Sequence, residues 1–195
     1  MPRLNQNQRL LAILVLAGLA AIATAAVAVA KSATLRVAKN VHVTNTPTKA
    51  FRVKAVDTHE AVAVGPAGYA VYTFQNETTH HIICKKTNQA ATNCWAFWPP
   101  VSVASAKGVS KQSGISGKLG TFRNHGLLQL TLNGQPLYYF TPDIQAGNKR
   151  KATGDQLKTY GSIWHIVKAG ATTHASPAPA QMMPTTSTTP SYPTY

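Results

Sequence analysis

The chain has 195 residues, with 19 Lys and Arg against 5 Asp and Glu, a formal net charge of +14 at pH 7, and two Cys. It contains no carboxylate-rich metal loop, no phosphate-binding Gly loop and no nucleophile motif, so no assembled catalytic machinery is visible. Such a charge draws anionic polymers and lipid headgroups toward the protein but says nothing about fold.

Arg3 and Arg9 precede an unbroken apolar run from Leu10 to Ala30, which ends at Lys31. This is the pattern of an export segment. At about 1.5 Å per residue a helix of this length also spans a bilayer core of about 30 Å. Residues 1–30 therefore read as a signal peptide or an uncleaved membrane anchor, with Ala28-Val29-Ala30 as the small-x-small cleavage pattern. No Cys follows the run to take a lipid, and the two Arg are not adjacent as twin-arginine export requires. The remaining chain is extracytoplasmic, membrane-anchored or secreted, and its 17 basic residues stand against 5 acidic ones, a balance of +12.

Residues 31–60 form an N-terminal strand or linker segment. Leu35, Val37, Val41 and Val43 alternate with polar residues, with a break at Lys39-Asn40, and Phe51, Val53 and Ala55 alternate again after Thr46-Pro47-Thr48. A β-rich domain follows at 61–168. Ala61–Val64, a Gly65-Pro66-Ala67-Gly68 turn and Tyr69–Phe74 make one hairpin; Leu127–Leu132, Asn133-Gly134 and Pro136–Phe140 make a second, with Asn-Gly the strongest short hairpin signal. A last strand covers Ile163–Val167. No segment after Ala30 keeps a helical period, so the fold class is all-β, mainly antiparallel, with at most a short helix. Residues 169–195 hold five Pro and seven Thr and no Lys, Arg, Asp or Glu, the composition of a disordered tail.

The two hairpins are related. At a constant offset of 66 residues Gly68 matches Gly134, Val71 matches Leu137, Tyr72 matches Tyr138, Phe74 matches Phe140, Glu77 matches Asp143 and Trp98 matches Trp164. The domain is thus expected to consist of two pseudo-symmetric halves, each a Tyr-x-Phe strand, an acid three positions on, and a closing Trp.

Taken in order, Val71-Tyr72-Thr73-Phe74, Cys94-x-x-x-Trp98-Pro99-Pro100, Leu119-Gly120-Thr121, Gly134 to Asp143, and Gly161-Ser162-Ile163-Trp164 resemble a bacterial family of secreted repeats of unknown function. That family is described as predicted lipoproteins with a Tyr-x-(Phe/Trp/Tyr)-x-x-Asp motif. Here Glu77 replaces the first Asp, the first Cys lies farther from Cys94 than is usual, and the lipoprotein Cys is absent. The resemblance implies architecture and location, and no reaction.

Four constellations are candidates for function. Cys84 and Cys94 are an isolated pair in an exported chain, which points to a disulfide; a redox pair or metal ligands are the alternatives. His80-His81-x-x-Cys84 offers imidazole and thiolate to zinc or copper, although adjacent His on an extended chain face opposite ways and a disulfide would consume the thiolate. Glu77 and Asp143, with Tyr72 and Tyr138, offer paired acids and phenols, against the simpler role of acids that cap turns by accepting backbone N–H groups. Trp98 and Trp164 read as core. Lys149-Arg150-Lys151 is the densest basic cluster and the expected binding site for an anionic wall polymer or lipid headgroup; export argues against nucleic acid. These observations together predict a non-enzymatic cell-envelope module without cofactor. The alternative is an extracytoplasmic redox or metal-binding protein built on His80, His81, Cys84 and Cys94.

Overall fold

A computed structural model describes residues 32–170. The export segment or anchor at 1–30 and nearly all of the Pro/Thr tail lie outside the described residues. Among those described, no helix is long and apolar enough to cross a membrane.

The described chain is all-β. Nine strands form three three-stranded sheets. β1 (Arg36–Thr44) lies between β2 (Asp57–Val64) and β7 (Lys151–Ala152), β9 (Ser162–Ile166) between β3 (Tyr72–Phe74) and β8 (Lys158–Thr159), and β5 (Leu127–Leu132) between β4 (Leu119–Asn124) and β6 (Gln135–Pro136). Every pairing is antiparallel except β1 with β7. Two short helices, Cys94–Phe97 and Thr141–Gln145, and a 3-10 turn at Lys49–Phe51 complete the elements.

The hairpin at Asn133-Gly134 forms as its sequence requires. Leu132 pairs with Gln135, and the two turn residues have φ of 53° and 77°, the double positive φ of a type I′ turn. Nothing lies within 4 Å of where a Cβ on Gly134 would sit, so glycine is needed there for its backbone and not for space. His125-Gly126 makes the same turn between β4 and β5, with φ of 47° and 81°.

The two halves carry matching backbone hydrogen bonds. In the first, Ala63 N–H bonds the Val167 carbonyl, Val167 N–H the Val71 carbonyl, and Val71 N–H the Ala63 carbonyl, closing a ring of three. In the second, Leu130, Val101 and Leu137 close the same ring. From the Gly68/Gly134 position onward the 66-residue offset holds, but Ala63 corresponds to Leu130 and Val62 to Gln129, an offset of 67. The constant offset of 66, which extended back to β2 would set Val62 on Leu128, is therefore corrected by one residue ahead of Gly68, because the first turn is one residue longer than the second.

The repeat also begins earlier than residue 61. β1 pairs with β2 as β4 pairs with β5: Val37 opposite Ala63 matches Thr121 opposite Leu130, and Ala38 opposite Val62 matches Phe122 opposite Gln129. A boundary at residue 60 falls inside β2, so the strand residues of segment 31–60 belong to the first repeat. The break at Lys39-Asn40 is a bulge in β1, with Asn40 at φ 52°. Phe51–Ala55, whose alternation predicts a half-buried strand, instead leaves the 3-10 turn as loop, with Phe51 and Val53 exposed.

Two clusters form the core. The aliphatic one holds Leu35, Ala63, Val71, Val101, Leu130, Leu137 and Val167, and the aromatic one Tyr72, Phe74, Trp98, Tyr138, Phe140 and Trp164. Successive residues of an extended chain face opposite ways, so Val71 and Leu137 enter the first cluster while Tyr72 and Tyr138 enter the second. This is why Leu137-Tyr138-Tyr139-Phe140 is buried throughout. In the aromatic cluster the rings stack in the order Phe74, Trp164, Trp98, Phe140, with centroids 4.1, 3.7 and 4.3 Å apart. Tyr72 meets Trp98 edge-on at 5.3 Å and Tyr138 meets Trp164 edge-on at 5.4 Å. The column is symmetric about the Trp98–Trp164 contact. Each such pair adds about 0.5–1.5 kcal/mol beyond its area burial.

Candidate functional site

Lys149 and Arg150 sit where a loop meets β1. After the helix Thr141–Gln145 the chain turns into β7, and His42 N–H bonds the Arg150 carbonyl at 2.8 Å. The loop thus runs beside β1, and Lys149 and Arg150 line a groove of about 600 Å³ together with Arg36 and Lys39. Gly68 and Gln112 complete its polar lining, and no acid lines it. Lys149 Nζ stands 5.6 Å from the Tyr69 ring centroid, a cation–π contact that holds the ammonium over the first-repeat turn. The Gln112 side-chain oxygen accepts Val37 N–H at 2.7 Å and ties the far wall to β1.

The structure thus splits the basic triplet: Lys149 and Arg150 line the groove, whereas Lys151 belongs to β7 and its charge acts on Asp143. Arg36 and Lys39 cannot be joined to this site from sequence, because more than 100 residues separate them from Lys149 and the parallel β1–β7 pairing brings them together. Their one local signal is a cationic residue at each end of the Arg36–Lys39 stretch, which runs into the bulge.

The acids reinforce the imbalance. Glu77, Asp143 and Asp155 are buried, and the other two are paired, Asp57 with His42 at 2.7 Å and Glu60 with Lys168 at 2.8 Å. None of the described Lys and Arg residues is buried. Of the five acids three are buried, Glu60 is paired with a lysine and only Asp57 stands exposed, while positive charge remains outside.

Glu77 and Asp143 each hold a loop. The Tyr72 hydroxyl donates to Asp143 Oδ2 at 2.6 Å, while Asp143 Oδ1 accepts Thr153 N–H at 2.8 Å and the Thr153 hydroxyl at 2.6 Å. Glu77 Oε1 accepts Ile83 N–H at 2.8 Å and Cys84 N–H at 2.7 Å. Glu77 Oε2 and the Tyr138 hydroxyl are buried near each other, neither with a partner at full hydrogen-bond geometry. Burial pushes both carboxyl groups above the usual carboxylate range, against the pull of the hydrogen bonds they accept. Burial likewise raises the Tyr72 and Tyr138 phenols, aided by the nearby Asp143 and Glu77 charges respectively. Both acids do what turn-capping acids do, and neither reaches solvent.

Cys84 and Cys94 form a disulfide, buried at 0% and 1% exposure. It pins the loop whose amides Glu77 gathers, and Trp95 donates its indole N–H to the Cys84 carbonyl at 3.1 Å. His80 and His81 are exposed, in a tight turn where His81 N–H bonds the Thr78 carbonyl. Among the described residues no group of three or more His, Cys, Asp or Glu converges as a metal site. Trp98, Trp164, Phe74 and Phe140 are the aromatic column.

The chain matches no family model, no curated protein and no solved structure.

Proposed function

We propose that this chain is a non-enzymatic extracytoplasmic envelope module that binds an anionic polymer or lipid surface through the groove of Arg36, Lys39, Lys149 and Arg150. The observation that carries this reading is the groove itself: four cationic side chains from two distant segments around about 600 Å³, with no acid among the lining residues. Low-dielectric walls lined by one sign of charge focus the field and raise the local concentration of the opposite charge. The export segment at 10–30 and the disulfide both suit an oxidising compartment outside the cytoplasm.

The alternative, a redox or metal-linked protein using His80, His81, Cys84 and Cys94, has less support. Its sulfurs are bonded to each other and sealed from solvent. Access governs thiol exchange.

The test is co-sedimentation of the protein with isolated cell-wall polymer and with vesicles containing anionic lipid, across a salt series, with metal analysis of the same sample. Binding should weaken steeply between about 0.1 and 1 M salt, as the screening length falls from about 10 to 3 Å. Replacing Arg36, Lys39, Lys149 and Arg150 by Gln should reduce it at least tenfold. Salt-insensitive or absent binding, with stoichiometric metal, would overturn the proposal in favour of its rival.

A further inference from the structure

A second groove, of about 560 Å³, is apolar where the first is cationic. One wall is Phe51 from the 3-10 turn, another is Phe97 at the end of its helix, and a third is Tyr160 from the turn between β8 and β9. Its floor is the end of the aromatic column, Trp98 and Phe140, with Pro142 beside it, and Lys158 is its single charged lining residue. Phe51 and Phe97 are 56% and 51% exposed, the two most exposed large apolar side chains among the described residues. Both phenylalanines stand on the rim of one groove and belong to neither core cluster. Exposed apolar side chains gathered on one groove, and not scattered singly, are what a docking surface needs.

We infer that this groove docks the Pro-rich segment of the same chain that follows Gly170, with Met182-Met183-Pro184 as its anchor. Three observations favour that occupant. Residues 171–195 contain five Pro, including Pro177-Ala178-Pro179 and Tyr192-Pro193, and no Lys, Arg, Asp or Glu. Segments of this composition bind aromatic-lined grooves as preformed extended helices at little entropic cost. The charges match: an uncharged segment gains nothing from the cationic groove, and an anionic partner gains little from an apolar one. The reach also suffices. The twelve residues from Gly170 to Met182 extend up to about 40 Å, about the width of a domain of this size. Tethering supplies an effective concentration in the millimolar range, so a weak intrinsic affinity is enough. Met is suited to the anchor because its flexible thioether adapts to aromatic faces.

The test uses the full chain with Phe97 replaced by the photoreactive p-benzoylphenylalanine, an exposed position. Irradiation followed by peptide mass mapping should place the cross-link in residues 171–195, concentrated at 182–184, with the same yield at 0.1 and 1 M salt. Changing Met182, Met183 and Pro184 together to Ser, or Phe51 to Ser, should lower that yield at least fivefold. Cross-links to folded residues of a second copy, or none to protein, would overturn the inference, as would an unchanged yield in both variants. Because the readout is insensitive to salt and the Gln variants leave this groove untouched, its failure is separable from failure of the anionic-binding proposal.

Discussion

Tyr72 and Tyr138, the matching residues of the two halves, pair with each other, each donating its backbone N–H to the other's carbonyl at 2.9 and 3.0 Å. Two equivalent residues that exchange both hydrogen bonds lie on a local two-fold axis. The axis also relates Trp98 to Trp164, and it explains why the Tyr72 hydroxyl bonds Asp143, the acid of the opposite half. The repeated tyrosine joins halves as well as filling a core.

The two hydroxyls should differ in worth. Tyr72→Phe leaves Asp143 Oδ2 and Gly154 N–H short of a partner, so it should cost about 1–3 kcal/mol. Tyr138→Phe removes a hydroxyl that reaches Glu77 without full hydrogen-bond geometry and should cost less. Urea unfolding of both variants decides this; equal losses would show that Tyr138 makes a bond to Glu77 equivalent to its counterpart's.

Gly154 lies against the column. A Cβ there would sit 2.7 Å from the Trp98 ring, 3.1 Å from that of Tyr72 and 3.2 Å from that of Phe140. These are rigid ring atoms held by stacking, so Gly154→Ala should cost about 1–3 kcal/mol as overpacking and alter the near-ultraviolet dichroism. A neutral or stabilising result would mean that the column yields easily.

Reducing the disulfide should matter in proportion to its loop. Cys84 and Cys94 are 10 residues apart, and removing a cross-link of that span costs about 2–3 kcal/mol in the chain-entropy model. The variant with both Cys changed to Ala should lose that much in chemical denaturation. Thiol titration of the native protein should find none free, and of the unfolded, unreduced protein none either.

Glu77 and Asp143 make stability depend on pH in an unusual direction. Burial raises both carboxyl groups in the folded state, so between the ordinary value of about 4 and the raised one the folded chain binds more protons than the unfolded chain. Stability from these groups is therefore greatest below the unfolded value and falls as pH rises through the folded one. Glu77→Gln, which cannot titrate, should gain stability relative to the parent as pH rises from 4 to 8 in urea midpoints. A relative loss over that range would reverse the sign and refute the account.

Local chemistry written in the sequence determined much of this protein. The alternation of apolar residues specified β-structure, Asn133-Gly134 specified its turn, the lone Cys pair its disulfide, and the 66-residue offset the kinship of the halves. Each depends on neighbours in the chain or on a like residue elsewhere, which a linear pattern can carry. The strand β4 escaped such reading because Gly120, Arg123 and Asn124 interrupt its alternation, and it is recognised as a strand by pairing with β5. The Phe51–Ala55 alternation misled because the segment meets its neighbour through a single antiparallel bridge, Arg52 opposite Leu157, and not through a continuous ladder that would cover one face. What only the tertiary structure decided are relationships across the two-fold axis: which acid each tyrosine faces, the Trp98–Trp164 stack, the membership of β1 in the first repeat, and the meeting of Arg36 and Lys39 with Lys149 and Arg150. Those contacts are set by the packing of whole strands against partners that are distant in the chain, more than 60 residues away for all but the β1–β2 pairing, and no local pattern records which partner that will be.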